Sequence, residues 1–247
     1  MEKVFAQDYN GYRKRELLVS SRVCYGFGFS EFLSRHIDEV FISNKRALDV
    51  GVGAGTITLD LLDYGLHVDG IDLNYKAVEI CRKNLIKYGY DDCIIKKENI
   101  AEFETEEKYD FIVSNPPISI FKDVALSKEL DHQIKNDIID FDAFLFLTND
   151  WCDNDGLDLV DHCFIKGDKL LNNNGKIIIV CGNPYEDVLS LIVQKSKKYK
   201  YTLVKEILEE LKAIDIGLDD ENLNTFVGKI FVFEKIKHND NCLKETM

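Results

Sequence analysis

Two hydrophobic rhythms alternate along the chain. Short apolar runs, RALDVGV (46–52), HVDGIDL (67–73), YDFIVSN (109–115) and GKIIIVCGN (175–183), read as buried strands. Between and after them, apolar residues recur three and four apart, which predicts helices over 56–65, 74–89, 157–171 and 184–199. In the second of these, Ala77, Val78, Ile80, Cys81, Leu85 and Ile86 fall on one helical face. A weaker strand is predicted at 92–95, and two more at 201–208 and 226–236, with little helical pattern between the last pair. Strands alternating with helices predict an α/β fold, a Rossmann-like and mostly parallel sheet covered on both faces, with the last two strands as an antiparallel edge hairpin. Residues 1–45 predict a short, mainly helical extension or cap, 46–237 the main domain, and 238–247 a flexible tail.

Composition narrows the setting. A chain of 247 residues can bury a sizeable core in one large domain with a small extension. It has no apolar run of about 18 residues, so no membrane span is expected. Its first residues, MEKVFAQDYNGYRKREL, lack the apolar core of a signal peptide. The 7 Cys form no CxxC pair and several sit in apolar segments, as in IIIVCG, which predicts reduced thiols in a cytoplasmic protein. His36 and His162 lack metal-ligand spacing, and no metal is expected. The net charge of −13 disfavours a nucleic-acid partner, because phosphate contacts supply much of such affinity. Nothing in the sequence indicates an oligomeric state.

The chemistry begins at Asp49-Val-Gly-Val-Gly-Ala-Gly-Thr56, which joins a predicted strand to a predicted helix. Gly51, Gly53 and Gly55 let the backbone turn tightly and approach a ligand. Asp72 ends the next strand, where a carboxylate can take both hydroxyls of a ribose. The spacing is GxGxG behind an acid, unlike the GxGxxG of dinucleotide sites. Asp49 would repel a pyrophosphate but suits a cationic methionyl group held through water or backbone, which favours S-adenosylmethionine (SAM) over NAD.

On these residues the resemblance is to a known family. ALDVGVGAGTITLDLL is similar to the first motif of class I SAM-dependent methyltransferases, and VDGIDLNYKAVEICRKNL to their second. The resemblance covers roughly 46–183 and implies a seven-stranded sheet with a reversed final hairpin. It also implies that Asp49, Gly51, Gly53 and Gly55 line the methionine side, that Asp72 binds the ribose, and that Asn99 sits near the adenine amine, where the family often has Asp.

Asn115-Pro116-Pro117 follows the strand 109–115 in a chain with only 3 Pro. Two prolines stop the strand and hold Asn115 extended. The motif is similar to the Asn-Pro-Pro of amino-methyltransferases, whose acceptors are planar nitrogens. Such a nitrogen is a poor nucleophile because its lone pair is delocalised. The amide oxygen of Asn115 and the carbonyl of Pro116 can accept its two N–H bonds, turning the lone pair toward the methyl group and stabilising charge that develops on nitrogen. Ile118 departs from the family, which usually places an aromatic there to stack on the acceptor; Phe121 is a substitute.

The acceptor is less sharply indicated. Ten acids against three Lys between 118 and 158 repel phosphate. Asp155-Gly-Leu, about 40 residues beyond the prolines and opening a helix, resembles the HemK/PrmC-like protein-glutamine methyltransferases that act on release factors. Tyr25, Phe27 and Trp151 are candidates for lining the acceptor pocket, with core packing as the alternative. The sequence thus predicts a SAM-dependent N-methyltransferase acting on a protein glutamine or a small-molecule amine. A base amine of RNA or DNA is the first alternative, and a non-catalytic partner subunit of the same fold is the second.

Overall fold

The computed structural model describes residues 2–8, 14–20, 23, 27–116, 157–182, 186–212 and 225–236. Its elements run β1 (Glu2–Asp8), β2 (Lys14–Ser20), α1 (Phe27–Arg35), α2 (Ile37–Val40), β3 (Arg46–Val50), α3 (Thr56–Asp63), β4 (His67–Asp72), α4 (Tyr75–Lys87) and β5 (Ile94–Lys97). They continue with β6 (Tyr109–Ser114), α5 (Asp158–Leu170), β7 (Leu171–Gly182), α6 (Glu186–Lys198), β8 (Tyr201–Lys212) and β9 (Thr225–Lys235).

The described strands form a seven-stranded sheet in the order β5-β4-β3-β6-β7-β9-β8, and a separate hairpin β1-β2. Pairing is parallel from β5 through to β7, and antiparallel where β9 meets β7 and β8. The expected mostly parallel sheet with an antiparallel terminal hairpin is therefore present. The edge strand is β8, since β9 inserts between it and β7.

The continuous apolar runs have a simple cause. Along β7, Ile177, Ile179 and Cys181 enter one core, with Phe164, Phe231 and Phe233, while Ile178 and Val180 enter a second, with Phe32, Leu33 and Leu61. β6 does the same, with Ile112 on one side and Phe111 and Val113 on the other. A strand buried on both faces has no polar face to show.

Local signals set the boundaries. Asn74 caps α4, its side-chain oxygen accepting the Lys76 N–H at 2.9 Å. On that helix Ala77, Val78, Ile80, Cys81 and Leu85 are buried as expected, but Ile86 is 62% exposed. The weak strand expected at 92–95 is centred two residues later, at Ile94–Lys97.

The N-terminal expectation needs correction. Among the described residues of 1–45, helix runs from Phe27 to Arg35 and from Ile37 to Val40, and before it lies the hairpin. The reason is a period of two in β2, where Arg15, Leu17 and Val19 are buried while Glu16 is exposed. Leu17 and Val19 join a third core with Val52, Ala54, Leu59, Val78 and Cys81, so the hairpin packs on α3, α4 and the glycine loop. Arg15 fixes it there. Its guanidinium donates to Asp60 of α3 at 2.6 Å and pairs with Asp63, while Ser30 of α1 donates to Asp60 at 2.5 Å. Burial pushes the Asp60 carboxyl upward, and the Arg15 charge and the Ser30 hydroxyl pull back against it. Among the described residues, no helix is long and apolar enough to cross a membrane.

Candidate active site

The strand order reverses between β3 and β6: from β3 the chain winds outward to β4 and β5, then returns on the other side through β6 and β7. The register places Val50 beside Ile71 of β4 and Ser114 of β6, so the carboxyl ends of the three strands open onto one crevice. In open α/β sheets, ligands bind at such a switch point.

The glycine loop crosses the mouth. Gly51, Gly53 and Gly55 have φ of 84°, 53° and 87°, the left-handed region that glycine adopts without strain. Gly55 has a second constraint, since a Cβ there would lie 2.9 Å from the Cys81 sulfur of α4. The N–H groups of Gly51 and Val52 both point at the Ile71 carbonyl, at 2.8 and 3.3 Å, and the Gly55 N–H closes a turn onto the Val52 carbonyl at 2.8 Å.

Asp72 lies at the end of β4 and is 5% exposed. One carboxylate oxygen accepts the Gly53 N–H at 3.0 Å and the other the Asn74 N–H at 2.8 Å. Burial pushes its pKa up to about 6, against the pull of these two N–H groups. Each oxygen takes one protein donor and keeps acceptor capacity for a hydroxyl, so the carboxylate fits a vicinal diol.

Asp49 lies beneath the loop on β3 and is 1% exposed. Its carboxylate accepts the Thr58 hydroxyl at 2.6 Å. Burial pushes it up to about 7; Thr58 pulls down and the charge of Asp72 adds to the rise. Asp49 therefore ties β3 to the start of α3, on the two sides of the loop, which leaves to water or backbone any link to a cation.

Asn99 follows β5 and is half-buried; its side-chain oxygen accepts the Ala101 N–H at 3.0 Å, and its carbonyl accepts from Glu102 at 2.9 Å and Phe103 at 2.8 Å. Its side chain turns the chain after the strand, in the manner of an Asx turn.

Asn115 and Pro116 stand directly past β6, half-buried and buried. They are anchored by Ser114, fully buried, whose hydroxyl donates to the Val50 carbonyl at 2.8 Å and ties β6 to the strand that enters the glycine loop. At the far side, Leu157 is fully buried and Asp158 opens α5, as the Asp-Gly-Leu reading expected. Leu159 reaches to 3.8 Å of where a Cβ on Gly51 would stand. Phe27 opens α1. Tyr25, Pro117, Ile118, Phe121 and Trp151 lie outside the described residues, as does the acidic stretch before Leu157.

The residues that sequence reasoning missed are Thr58, Ser114 and Asn84. Ser114 was adjacent to the motif, and Thr58 lies within the first turn of α3, but neither residue type announces its partner. Asn84, 1% exposed, shares a face with the apolar positions of α4 and was legible only as a polar residue in an apolar stripe.

Comparison with known proteins agrees with this geometry. Residues 27–139 match the methyltransferase small domain family. A bifunctional methyltransferase of Rickettsia prowazekii is 30% identical over 152 residues, 60% of this chain and 27% of the relative. The release factor glutamine methyltransferase of Streptococcus pneumoniae is 28% identical over 154 residues, 62% of this chain and 51% of the relative. A tRNA1(Val) (adenine(37)-N6)-methyltransferase of Phocaeicola vulgatus is 30% identical over 103 residues, 41% of this chain and 44% of the relative. The chain thus spans about a quarter to a half of the length of these relatives. Among solved structures, the ribosomal protein L11 methylase of Lactobacillus delbrueckii subsp. bulgaricus superposes with a TM-score of 0.57 at 13% identity, covering 87% of this chain and 82% of that one. Residues 27–139, a little under half of the chain, are thus similar to the methyltransferase small domain, and the fold is the one seen in that methylase.

Proposed function

We propose that this protein is a SAM-dependent N-methyltransferase whose acceptor is the side-chain amide of a protein glutamine or, failing that, a small-molecule amine. The observation that carries the reading is the position of Asn115-Pro116, one residue past the Ser114–Val50 tie and at the mouth shared with the glycine loop. SAM, when bound, supplies a methyl group on a sulfonium that leaves as a thioether. Asp72 would hold the ribose hydroxyls, Asn99 the adenine end, and the loop backbone over Asp49 the methionyl end. Asn115 and the Pro116 carbonyl would accept the two N–H bonds of the acceptor. That would turn the nitrogen lone pair toward the methyl group, so that the new N–C bond would form as the S–C bond broke, and the surplus proton on nitrogen would leave to solvent.

Support for a protein acceptor comes from the acidic composition, which disfavours phosphate, and from similarity to a release factor glutamine methyltransferase. A tRNA base amine is the second reading, favoured by the similarity to a tRNA adenine methyltransferase. A reducing, cytoplasmic setting accords with the free thiols of Cys81, Cys93, Cys163 and Cys181. Incubation with methyl-labelled SAM and an extract from cells lacking the gene, split into protein, nucleic-acid and small-molecule fractions, tests the reading. Label in protein supports it, label in the small-molecule pool moves it to the second acceptor class named, and label in RNA replaces it with the base-amine reading.

A further inference from the structure

The glycine loop is held from three sides, and one of those holds reaches outside the sheet. Val52 is fixed by the Ile71 carbonyl and Gly53 by Asp72, both on β4. Ala54, between the second and third glycines, is fixed by α4: the Asn84 amide donates to the Ala54 carbonyl at 2.8 Å. The same amide group donates to the Leu18 carbonyl of β2 at 2.9 Å, and the Asn84 oxygen accepts the Leu18 N–H at 2.7 Å. Asn84 thus pairs with Leu18 as a neighbouring strand would, and spends its remaining N–H on the loop. Two facing carbonyls fix which end of the amide carries nitrogen. Leu17 and Val19 of the hairpin share a core with Val52 and Ala54 of the loop, so the polar and apolar contacts join the same two segments.

We propose that Asn84 is a positioning residue that sets the glycine loop for SAM and couples the N-terminal hairpin to it. The inference rests on the cofactor reading of the loop. A buried amide that meets three backbone groups at once has no alternative partner in either segment, so a shift of one segment must break a bond to the other. Ordering the loop around SAM therefore orders Leu18 as well. Tyr88 provides an internal comparison. Its hydroxyl accepts the Glu16 N–H at 2.8 Å and donates to the Glu16 carbonyl at 3.1 Å, so it bonds the same strand to the end of the same helix while both of these hydrogen bonds go to the hairpin rather than the loop.

The test is calorimetric binding of S-adenosylhomocysteine to the full chain, with amide hydrogen exchange followed at Glu16 and Leu18. Asn84→Asp keeps the size and the acceptor oxygen but loses both donated bonds; Tyr88→Phe loses only the hairpin bonds. Expected are an affinity about tenfold weaker in Asn84→Asp, an affinity within about twofold of wild type in Tyr88→Phe, and slowing of Leu18 exchange by the ligand in wild type but not in Asn84→Asp. In turnover, Asn84→Asp should raise the KM for SAM and leave kcat nearly unchanged. Equal weakening in both variants would reduce Asn84 to a structural bond, and wild-type affinity in Asn84→Asp would overturn the proposal. Ligand binding that leaves Leu18 exchange unchanged in wild type would remove the coupling. No binding to folded wild-type protein would overturn the cofactor reading itself, a result distinct from all of these.

Discussion

Asp72 accepts the Gly53 N–H at 3.0 Å and so closes the glycine loop onto the end of the neighbouring strand. The carboxylate proposed to bind the ribose also holds the loop proposed to face the methionyl group, so in that reading the two ends of the cofactor site are built on one side chain. Asp72→Ala should remove two charge-assisted contacts to the cofactor and loosen the loop together. An affinity for S-adenosylhomocysteine lower by about a hundredfold is expected from hydrogen bonds to a charged group. Calorimetry on the variant checks this, and an affinity within a few-fold of wild type would remove Asp72 from the site.

Asp49 gives the site a pH dependence. Its pKa is about 7 when folded and near the ordinary carboxylate value of about 4 when unfolded. Between those limits the folded protein binds the extra proton, so the stabilisation present below pH 4 is lost as pH rises toward and through 7. Thermal midpoints of the ligand-free protein should therefore fall from pH 5 to pH 8, and Asp49→Asn should flatten that slope. A sulfonium cation nearby favours the ionised carboxylate, so the affinity for SAM should rise over the same range, and less steeply in the variant, where Asp72 still titrates. Identical pH profiles in the two proteins would contradict the assignment.

Gly55→Ala forces a left-handed φ of 87° on alanine and brings its Cβ within 2.9 Å of the Cys81 sulfur. A loss of about 2 kcal/mol of stability is expected from strain of this kind. Adding Cys81→Ala should relieve the contact but not the backbone strain, restoring part of the loss. Urea unfolding of the single and double variants measures both terms.

Arg15 and Asp60 form a buried ion pair, at 4% and 0% side-chain exposure. Arg15→Met should destabilise the protein by about 3 kcal/mol, because Asp60 is left buried without its partner charge. Arg15→Met with Asp60→Leu should recover most of this, since an apolar pair of similar volume carries no desolvation cost. Denaturation of the two proteins decides it; equal stabilities would mean that the carboxyl is accommodated without its partner charge.

The same pair shows why the N-terminal hairpin was not legible in the sequence. A strand whose inward face carries an Arg among Leu17 and Val19 reads as mixed, and the acid that makes Arg15 an interior residue lies 45 positions away. The sheet strands were readable because burial on both faces leaves uninterrupted apolar runs, as in β6 and β7. The positions of the glycine loop, Asp72 and Asn115 at strand ends were readable because each lies at the end of an apolar run. Thr58, Ser114 and Asn84 were not, since each acts through a backbone or carboxylate partner supplied by the fold. The interior position of Asp49 belongs with these: the motif marks the residue but not the Thr58 hydroxyl that it accepts.

The central claim is that the Asn115 side chain orients an acceptor nitrogen at a SAM site. Single-turnover methyl transfer from labelled SAM to the protein fraction, by wild type and by Asn115→Ala, tests it most directly when paired with calorimetry on both. The account predicts unchanged S-adenosylhomocysteine affinity and a transfer rate lower by about a hundredfold or more in the variant. Transfer at the wild-type rate by Asn115→Ala would contradict it.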